Sequence, residues 1–502
     1  MGRFADLSVN ELRKELAGFY VKPGAFSPNF SLDSLFFNVT GFSQVKEGNR
    51  RQVYFLQTNQ GGFFLKITTL IRAKDRLRHR ILFRRRWAEW RNLHRLHFAD
   101  IDAAEPVLKG EIRKIFPDTF FILTRKVWGE PLSSRLPLDA KKVGRKIAGM
   151  HSKGVYHADF HPGNLIINPD GNPCLIDVQE LFFFYFLPRS LRIFNLGKLF
   201  YYLDHQEGFK SWFVDLLAGY NLTAYSKGGK KSIKLEEVIK AALRCKNIRF
   251  RSRARRCCKN SSEFAVVKTK NLKGYIKRGF SWDERDLIHA LKNGRMIKQE
   301  KIFEYKNICI KINHARLFHK DRCLACWKAA RALDVRGISV PVSYAYFKMG
   351  VKSFFISQFM KEAVLLNDYL SSFSDLSDWR KKREALKKLA DWIKKIHDLD
   401  ILQKDFKSSN VLCQNGAYFM IDLDNVRFRP VAKKEKIINL AQLNASISNA
   451  VTRKDRLRFF YYYSKGNVSR EAKREIYKKI MAITSTKKTS AFNLDTGQLI
   501  IF

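Results

Sequence analysis

Residues 154–177 read GVYHADFHPGNLIINPDGNPCLID, and residues 400–422 read DILQKDFKSSNVLCQNGAYFMID. In the first stretch Asp159 stands five positions before Asn164, and Asn164 thirteen before Asp177. In the second, Asp405, Asn410 and Asp422 follow at intervals of five and twelve. A lone Asp-x4-Asn carries little information, because turns collect both residue types. Its return in the same chain, each time ahead of an apolar stretch ending in Asp, indicates an internal repeat, and the repeat decides the fold.

Working outward, QVYFLQTNQGGFFLKI (residues 52–67) reads as two alternating strands around an Asn-Gln-Gly-Gly turn, with Lys66 near the end of the second. EKIFEYKNICIKI (residues 300–312) repeats the pattern and ends just after Lys311. Each hairpin is followed by a basic helical stretch. An apolar strand, a polar connector and a helix come next: DTFFILTRKVWGEPLSSRL in one copy, VKSFFISQFMKEAVLLNDYL in the other. Lys66 precedes Asp159 by 93 positions and Lys311 precedes Asp405 by 94. Two copies of one domain are therefore expected, the second opening with EFAVVKTKNLKGYIKRGF. The expected boundaries are a first domain over 28–225, a basic linker with a short helix over 226–258, and a second domain over 259–490.

The chain has 502 residues, enough for two to four domains, and its 45% hydrophobic content supports real cores. Lys and Arg number 94 against 47 acids, a formal charge of +47 that favours a polyanionic partner: nucleic acid, nucleotide phosphates or an anionic membrane surface. The longest apolar run, LFFFYFL at residues 181–187, is far short of the roughly 20 residues of a spanning helix. Charges are scattered through the first twenty residues, so a cleaved leader is not expected and a cytoplasmic location is. Eight cysteines follow no disulfide framework, and most read as reduced core thiols. Cys323 and Cys326 form a C-x-x-C, but their context reads as helix and the adjacent Cys257 and Cys258 make poor zinc-ribbon spacing.

Two acids and an Asn at this spacing suit phosphoryl transfer, which needs a carboxylate to orient the acceptor hydroxyl and ligands for the metal that neutralises nucleotide phosphates. On that reading Asp159 is the catalytic carboxylate, and Asn164 and Asp177 bind Mg²⁺. Lys66 binds the phosphates of ATP, steadied by Glu89 from RRRWAEWRNLHRL. His157 and His161 orient the loop by hydrogen bonding, and Pro162 and Gly163 are turn residues.

With these residues in place, the chain resembles a tandem pair of protein-kinase-like domains: an α+β fold, each copy with a small β-rich N-lobe and a helical C-lobe. HADFHPGN is similar to the catalytic loop of lipopolysaccharide core kinases, aminoglycoside phosphotransferases and atypical kinases of the ubiquinone-biosynthesis type. EGNRRQVYFLQTNQGGFFLK, RWAEWRNLHRLH and RSLRIFNLGKLFYYL resemble segments of the lipopolysaccharide core kinases, which phosphorylate heptose or Kdo sugars at the cytoplasmic face of the inner membrane. The likeness covers most of residues 30–215 and, more thinly, 260–450. Only Gly48 stands near the hairpin tip, so the resemblance gives phosphate binding to Arg50, Arg51 and Lys66 rather than to a glycine-rich loop.

The second copy departs further. Its loop keeps Asp405, Asn410 and Asp422, the latter two implied as metal ligands, but has no His, Pro or Gly, and Cys326 stands where Glu89 stands in the first. Lys311 without its Glu is expected to be free to misplace phosphates. The copy is then either a second working site or an inactive, substrate-holding domain.

Two basic clusters, Ile71–Trp87 with seven Arg and one Lys, and Lys246–Asn260 with five Arg, carry interleaved aromatics suited to an anionic interface. A solvated helix face or RNA binding are the other readings. A single account of catalytic set and charge is an ATP- and Mg²⁺-dependent kinase acting on a sugar hydroxyl of lipopolysaccharide core, or another anionic glycolipid, while peripherally bound to the inner membrane. The alternatives are a small-molecule phosphotransferase of the aminoglycoside type, which the charge opposes, and an RNA-binding or scaffold pseudokinase.

Overall fold

The computed structural model describes residues 19–21, 39–46, 51–70, 87–112, 119–226, 232–298, 301–314, 320–373, 378–466, 469–486, 490–492 and 499–501. Gly48, Arg50 and the basic run 71–86 lie outside the described residues. The chain divides into two compact units, Met1–Asn247 and Ile248–Phe502.

In the first unit six antiparallel strands, β1 (Phe19–Val21), β2 (Val39–Lys46), β3 (Arg51–Thr58), β4 (Gly61–Thr69), β5 (Pro106–Ile112) and β6 (Thr119–Arg125), form a sheet in the order β1-β5-β6-β4-β3-β2. Strand periodicity decides what each face does. Tyr54 and Leu56 of β3, and Phe63, Leu65 and Ile67 of β4, point into one apolar core with Leu108, Phe121 and Leu123. Lys66, between Leu65 and Ile67, is thereby delivered to the opposite face. Helix α1 (Ala88–Phe98) follows β4 and turns Glu89, Asn92, Leu93 and Leu96 inward at helical spacing.

The remaining elements build a second core. They are β7 (Glu130–Pro131), α2 (Ala140–Ser152), β8 (Val155–His157), β9 (Leu165–Ile167), β10 (Pro173–Leu175), β11 (Leu181–Phe183), α3 (Arg189–Leu203), α4 (Phe209–Ser226) and α5 (Leu235–Ala254). Asp139 caps α2, its Oδ1 accepting from the Lys142 amide at 2.7 Å. Helices α2 and α4 touch backbone to backbone at two glycines. A Cβ on Gly144 would fall 2.0 Å from the Leu216 carbonyl oxygen, and one on Gly219 2.2 Å from that of Lys141. The expected short helix near residue 235 is a 20-residue helix instead. Its first half is no free linker: Val238 and Ala242 lie in the core with Leu196 and Leu199, and Glu237 forms a two-pronged ion pair with Arg189 at 2.7 and 2.8 Å.

The second unit begins its sheet with the expected hairpin, β12 (Phe264–Lys268) and β13 (Leu272–Lys277). After α6 (Glu284–Asn293) come β14 (Arg295–Lys298), β15 (Ile302–Tyr305), β16 (Ile308–His314), α7 (Arg322–Asp334), β17 (Ser343–Met349) and β18 (Lys352–Gln358). The sheet order is β12-β13-β17-β18-β16-β15-β14. Its run β17-β18-β16-β15-β14 reproduces β5-β6-β4-β3-β2 of the first unit, with Lys311 on β16 where Lys66 sits on β4. Then follow β19 (Val364–Leu365), α8 (Leu366–Ser371), α9 (Trp379–Asp398), β20 (Ile401–Gln403), β21 (Val411–Gln414), β22 (Ala417–Met420), β23 (Val426–Phe428), α10 (Lys433–Ser446), α11 (Arg453–Tyr463) and α12 (Arg470–Ser485). In α9, Leu386, Leu389, Ala390, Ile393 and Ile396 repeat at three and four residues, which seats one face in the core and leaves Lys381, Lys387, Lys388 and Lys395 exposed. Among the described residues no helix is long and apolar enough to cross a membrane.

Candidate active site

In the first unit the Lys66 ammonium donates to Glu89 Oε1, joining β4 to α1. Arg51, at the start of β3, donates from Nη2 to Glu89 Oε2 at 2.8 Å and from Nη1 to Asp177 Oδ1 at 3.3 Å and Gln179 Oε1 at 3.4 Å. Arg51 was expected on nucleotide phosphates; here it bridges two carboxylates. Asn92, one turn after Glu89, donates to the Val178 carbonyl at 2.8 Å, so α1 is tied to the segment that carries Asp177. Burial alone would raise the Asp177 carboxyl, but the Arg51 and Lys66 charges outweigh it and hold the group below the ordinary carboxylate value. Asp177 adopts the left-handed backbone, φ 51° and ψ 55°.

Strand β8 ends at His157, and the loop after it presents Asp159 to solvent. The Asn164 amide donates to the Asp159 carbonyl at 3.0 Å, and the Ile176 amide donates to the Asn164 carbonyl at 3.0 Å. The hairpin β9–β10 thus brings Asn164 beside Asp177, its tip closed by Asn168 Oδ1 accepting from the Asn172 amide at 2.8 Å. His161 Nδ1 accepts from the Gly163 amide at 3.0 Å, and its Nε2 lies 3.9 Å from an Asp159 oxygen. His157 Nδ1 accepts from the Asp159 amide at 3.2 Å, leaving Nε2 without a partner among the described residues. Burial pushes His157 down to about 4, so it is a neutral brace for the loop.

Three supporting residues carry no motif. His151 of α2, wholly buried and pushed by burial to about 3, lies 3.0 Å from the Tyr220 hydroxyl and 3.3 Å from Asn195 Oδ1. Asn195 of α3 in turn donates to the His157 carbonyl at 2.9 Å and accepts from the His157 amide at 3.4 Å. Lys198, one turn on, donates to the Ala158 carbonyl. Burial lowers its pKa, while the Asp159 and Glu180 carboxylates pull the other way, so a cation stands beside the candidate catalytic carboxylate. A polar Asn and Lys inside the otherwise apolar FNLGKLF was the available signal.

The second unit repeats the frame. His397 lies 2.8 Å from the Tyr463 hydroxyl and 3.3 Å from Asn439 Oδ1, and Asn439 donates to the Gln403 carbonyl at 2.9 Å. Asn410 donates to the Asp405 carbonyl at 2.8 Å, and Asp422 is again left-handed, φ 53° and ψ 61°. Gln442 takes the place of Lys198, donating to the Lys404 carbonyl at 2.9 Å. Cys326 does face Lys311, Sγ to Nζ 3.9 Å, but Lys311 is not free as expected: it lies 2.5 Å from Asp422 Oδ1. Burial opposes the Lys311 charge, but the Cys326 sulfur and the Asp422 carboxylate beside it outweigh burial and hold the ammonium above the ordinary lysine value; burial pushes the Cys326 thiol itself up to about 12, so Asp422 is the anion that Lys311 faces. Cys323 turns away, its Sγ 3.2 Å from the Lys311 carbonyl oxygen, and Cys257 and Cys258 hold their sulfurs 3.7 Å apart.

Asn164 and Asp177 stand on adjoining strand ends and offer hard oxygen donors, with the Asp177 carboxyl held below the ordinary value. That donor set would suit Mg²⁺ bound together with nucleotide phosphates, whose charge the ion would offset.

Solved structures of the protein WbdD align with this chain. One, with the kinase inhibitor LY294002, shows 16% identity over 40% of this chain and 47% of WbdD, TM-score 0.27. Another, described as a bifunctional kinase-methyltransferase, shows 18% identity over 41% and 51%, TM-score 0.25. The aminoglycoside phosphotransferase APH(4)-Ia, as a thermostable mutant, shows 12% identity over 43% of this chain and 89% of its own, TM-score 0.30. The matched region is thus about half of WbdD's length. No curated protein sequence matches the chain. The family model described as lipopolysaccharide kinase (Kdo/WaaP) matches residues 40–180 and, a second time, 297–463, stretches that hold both repeated constellations. This chain belongs to the lipopolysaccharide kinase (Kdo/WaaP) family.

Proposed function

We propose that the protein is an ATP-dependent kinase with two tandem kinase-like domains, and that its first unit transfers the γ-phosphoryl group to a sugar hydroxyl, heptose or Kdo, of lipopolysaccharide core at the cytoplasmic membrane face. The observation that supports this is the Lys66–Glu89 ion pair, tied through Arg51 to Asp177, in the same unit as an Asn164 that hydrogen-bonds the Asp159 carbonyl. Asp159 accepts the proton of the acceptor hydroxyl as its oxygen bonds to the γ-phosphorus and the bond to the β-phosphate oxygen breaks. Asn164 and Asp177 would hold Mg²⁺, which would supply charge neutralisation at the phosphates. Lys66 orients the phosphates, Glu89 orients Lys66, and Lys198 fixes the loop from behind through the Ala158 carbonyl.

The second unit is the holding partner in this reading. Its lysine is closed onto the residue that would bind metal, and α7 turns the Cys326 thiol toward it rather than a carboxylate that could draw it away. The net charge of +47 suits an acceptor that is itself a polyanionic lipid and disfavours a cationic drug.

The test is transfer of label from γ-labelled ATP to purified core lacking phosphate, by wild type, Asp159→Asn and Asp405→Asn. Labelling should vanish with the first change and survive the second. No labelling by wild type would sink the acceptor assignment, and loss with both changes would make the second unit a working site.

A further inference from the structure

The apolar run Leu181–Leu187 has no part in the site just described, yet it is fixed to it. β11 pairs antiparallel with β8, Phe182 opposite Tyr156, and β8 leads directly into the Asp159 loop. The Phe184 amide donates to the Gly154 carbonyl at 2.8 Å, so the backbone is held beyond the strand as well. Leu181 and Leu187 are buried and Phe183 packs against the core, but the other four side chains between them stand outward: Phe182 is 52% exposed, Phe184 38%, Tyr185 108% and Phe186 70%. Single exposed apolar residues are ordinary, whereas four large aromatics within five positions form a patch.

Cations flank it. The Arg192 guanidinium lies 5.4 Å from the Phe186 ring centre and that of Arg95 3.8 Å from Phe183. From residue 181 to 203 there is not one Asp or Glu; Arg189 is already paired with Glu237 and Lys198 is buried, so Arg192 and Arg95 make the border. Aromatic side chains with a cationic border and no acid fit the boundary between headgroups and acyl chains of an anionic bilayer. A nucleic-acid platform would instead need cations tracking a backbone between the rings. Here Phe182, Phe184, Tyr185 and Phe186 follow one another without an intervening charge.

We propose that Phe182, Phe184, Tyr185 and Phe186 form a membrane-docking surface that enters the interface of an anionic phospholipid bilayer. The docking rests on the kinase reading only for its purpose, which is to hold the Asp159 loop against a lipid-linked acceptor; binding itself is independent of catalysis.

The experiment is cosedimentation of the full chain with vesicles of phosphatidylglycerol and phosphatidylcholine in equal parts, and with phosphatidylcholine alone. Wild type should sediment with the anionic vesicles and weakly with the neutral ones. Tyr185→Ser/Phe186→Ser should lower the partition coefficient at least about tenfold, from the lost apolar burial. Tyr185→Trp should retain binding and lose emission to brominated lipid. A melting temperature equal to that of wild type, and equal transfer to lipid-free core oligosaccharide, would show that the double variant is folded.

Sedimentation of the double variant like wild type overturns the proposal, as does failure of wild type to sediment. It is also overturned if the double change abolishes binding to a single-stranded oligonucleotide but not to vesicles, or converts a dimer to a monomer without lipid. Absence of transfer with vesicle binding intact removes the kinase reading alone.

Discussion

Lys311 and Asp422 form a 2.5 Å ion pair in the second unit, whereas the lysine at the equivalent strand position in the first, Lys66, is held by Glu89. The difference traces to one side chain, because Cys326 offers Lys311 only an uncharged thiol. Cys326→Glu should draw Lys311 off Asp422 and open a second nucleotide site. Calorimetric titration of the full chain with Mg-ATP should change from one site per chain to two, and an unchanged stoichiometry would refute the explanation.

Glu89→Gln leaves Lys66 and Arg51 facing a neutral amide in a site where Glu89 is only 5% exposed. A buried cation stripped of its partner costs several kcal/mol, and here one cation retains Asp177. kcat/KM for ATP should fall roughly a hundredfold, about 2.7 kcal/mol of transition-state stabilisation. A fall smaller than about threefold would mean that Lys66 needs no carboxylate.

Lys198→Gln imports the residue that the second unit has at this place, where Gln442 makes the same backbone contact. The fold should be unchanged. kcat should drop by about tenfold with KM for ATP little affected, since the charge acts beside Asp159 rather than on the nucleotide. A change in KM alone would move Lys198 out of that role.

Asn195 and Asn439 each tie a buried histidine to the backbone ahead of the catalytic-loop position. Either residue changed to Ala leaves buried polar groups unpaired and should lower stability by about 2–3 kcal/mol. Only Asn195→Ala should also depress transfer, so melting and activity measured on both variants separate a structural from a functional loss.

Acid should destabilise the protein in a defined window. His151, His157 and His397 have an ordinary value of 6.5, and burial lowers them to about 3, about 4 and about 4. Below 6.5 the unfolded chain therefore binds protons that the folded chain refuses, and stability falls as pH falls until the folded values are reached. At pH 5 each histidine removes about 2 kcal/mol. The depressed Asp177 acts in the same direction at lower pH, since its contribution is lost as the carboxylate protonates. Melting temperature should drop steeply from pH 7 to pH 5, and a flat profile would contradict the buried, neutral state of these rings.

Much of this was legible in the sequence. The doubled Asp-Asn-Asp spacing and the alternation around Lys66 and Lys311 located both hairpins, both loops and the cysteine facing Lys311, because periodicity dictates which face a strand residue takes. What stayed hidden depends on where a side chain reaches. Arg51 reads as a phosphate ligand from its place beside the hairpin; that its length also lets it reach Glu89 and Asp177 is not written in that local pattern. The pairing of Lys311 with Asp422 spans 111 residues, and that of His151 with Asn195 spans 44, so no local pattern announces either. The helix at 235–254 outran its expected length: its buried positions, Val238, Ala241, Ala242 and Cys245, all fall in its first part, so no apolar periodicity announces the rest.

Asp177 and Asp422 share one further property, the left-handed backbone. Among L-residues only the short polar ones take this conformation readily, and glycine takes it without steric penalty. Both positions are therefore selected twice, by shape and by charge. Asp422→Gly would relax the chain by about 1 kcal/mol while removing the anion that holds Lys311. The second unit thus keeps a carboxylate where a bare turn would be more comfortable, and that carboxylate holds its lysine in the place that Glu89 takes in the first.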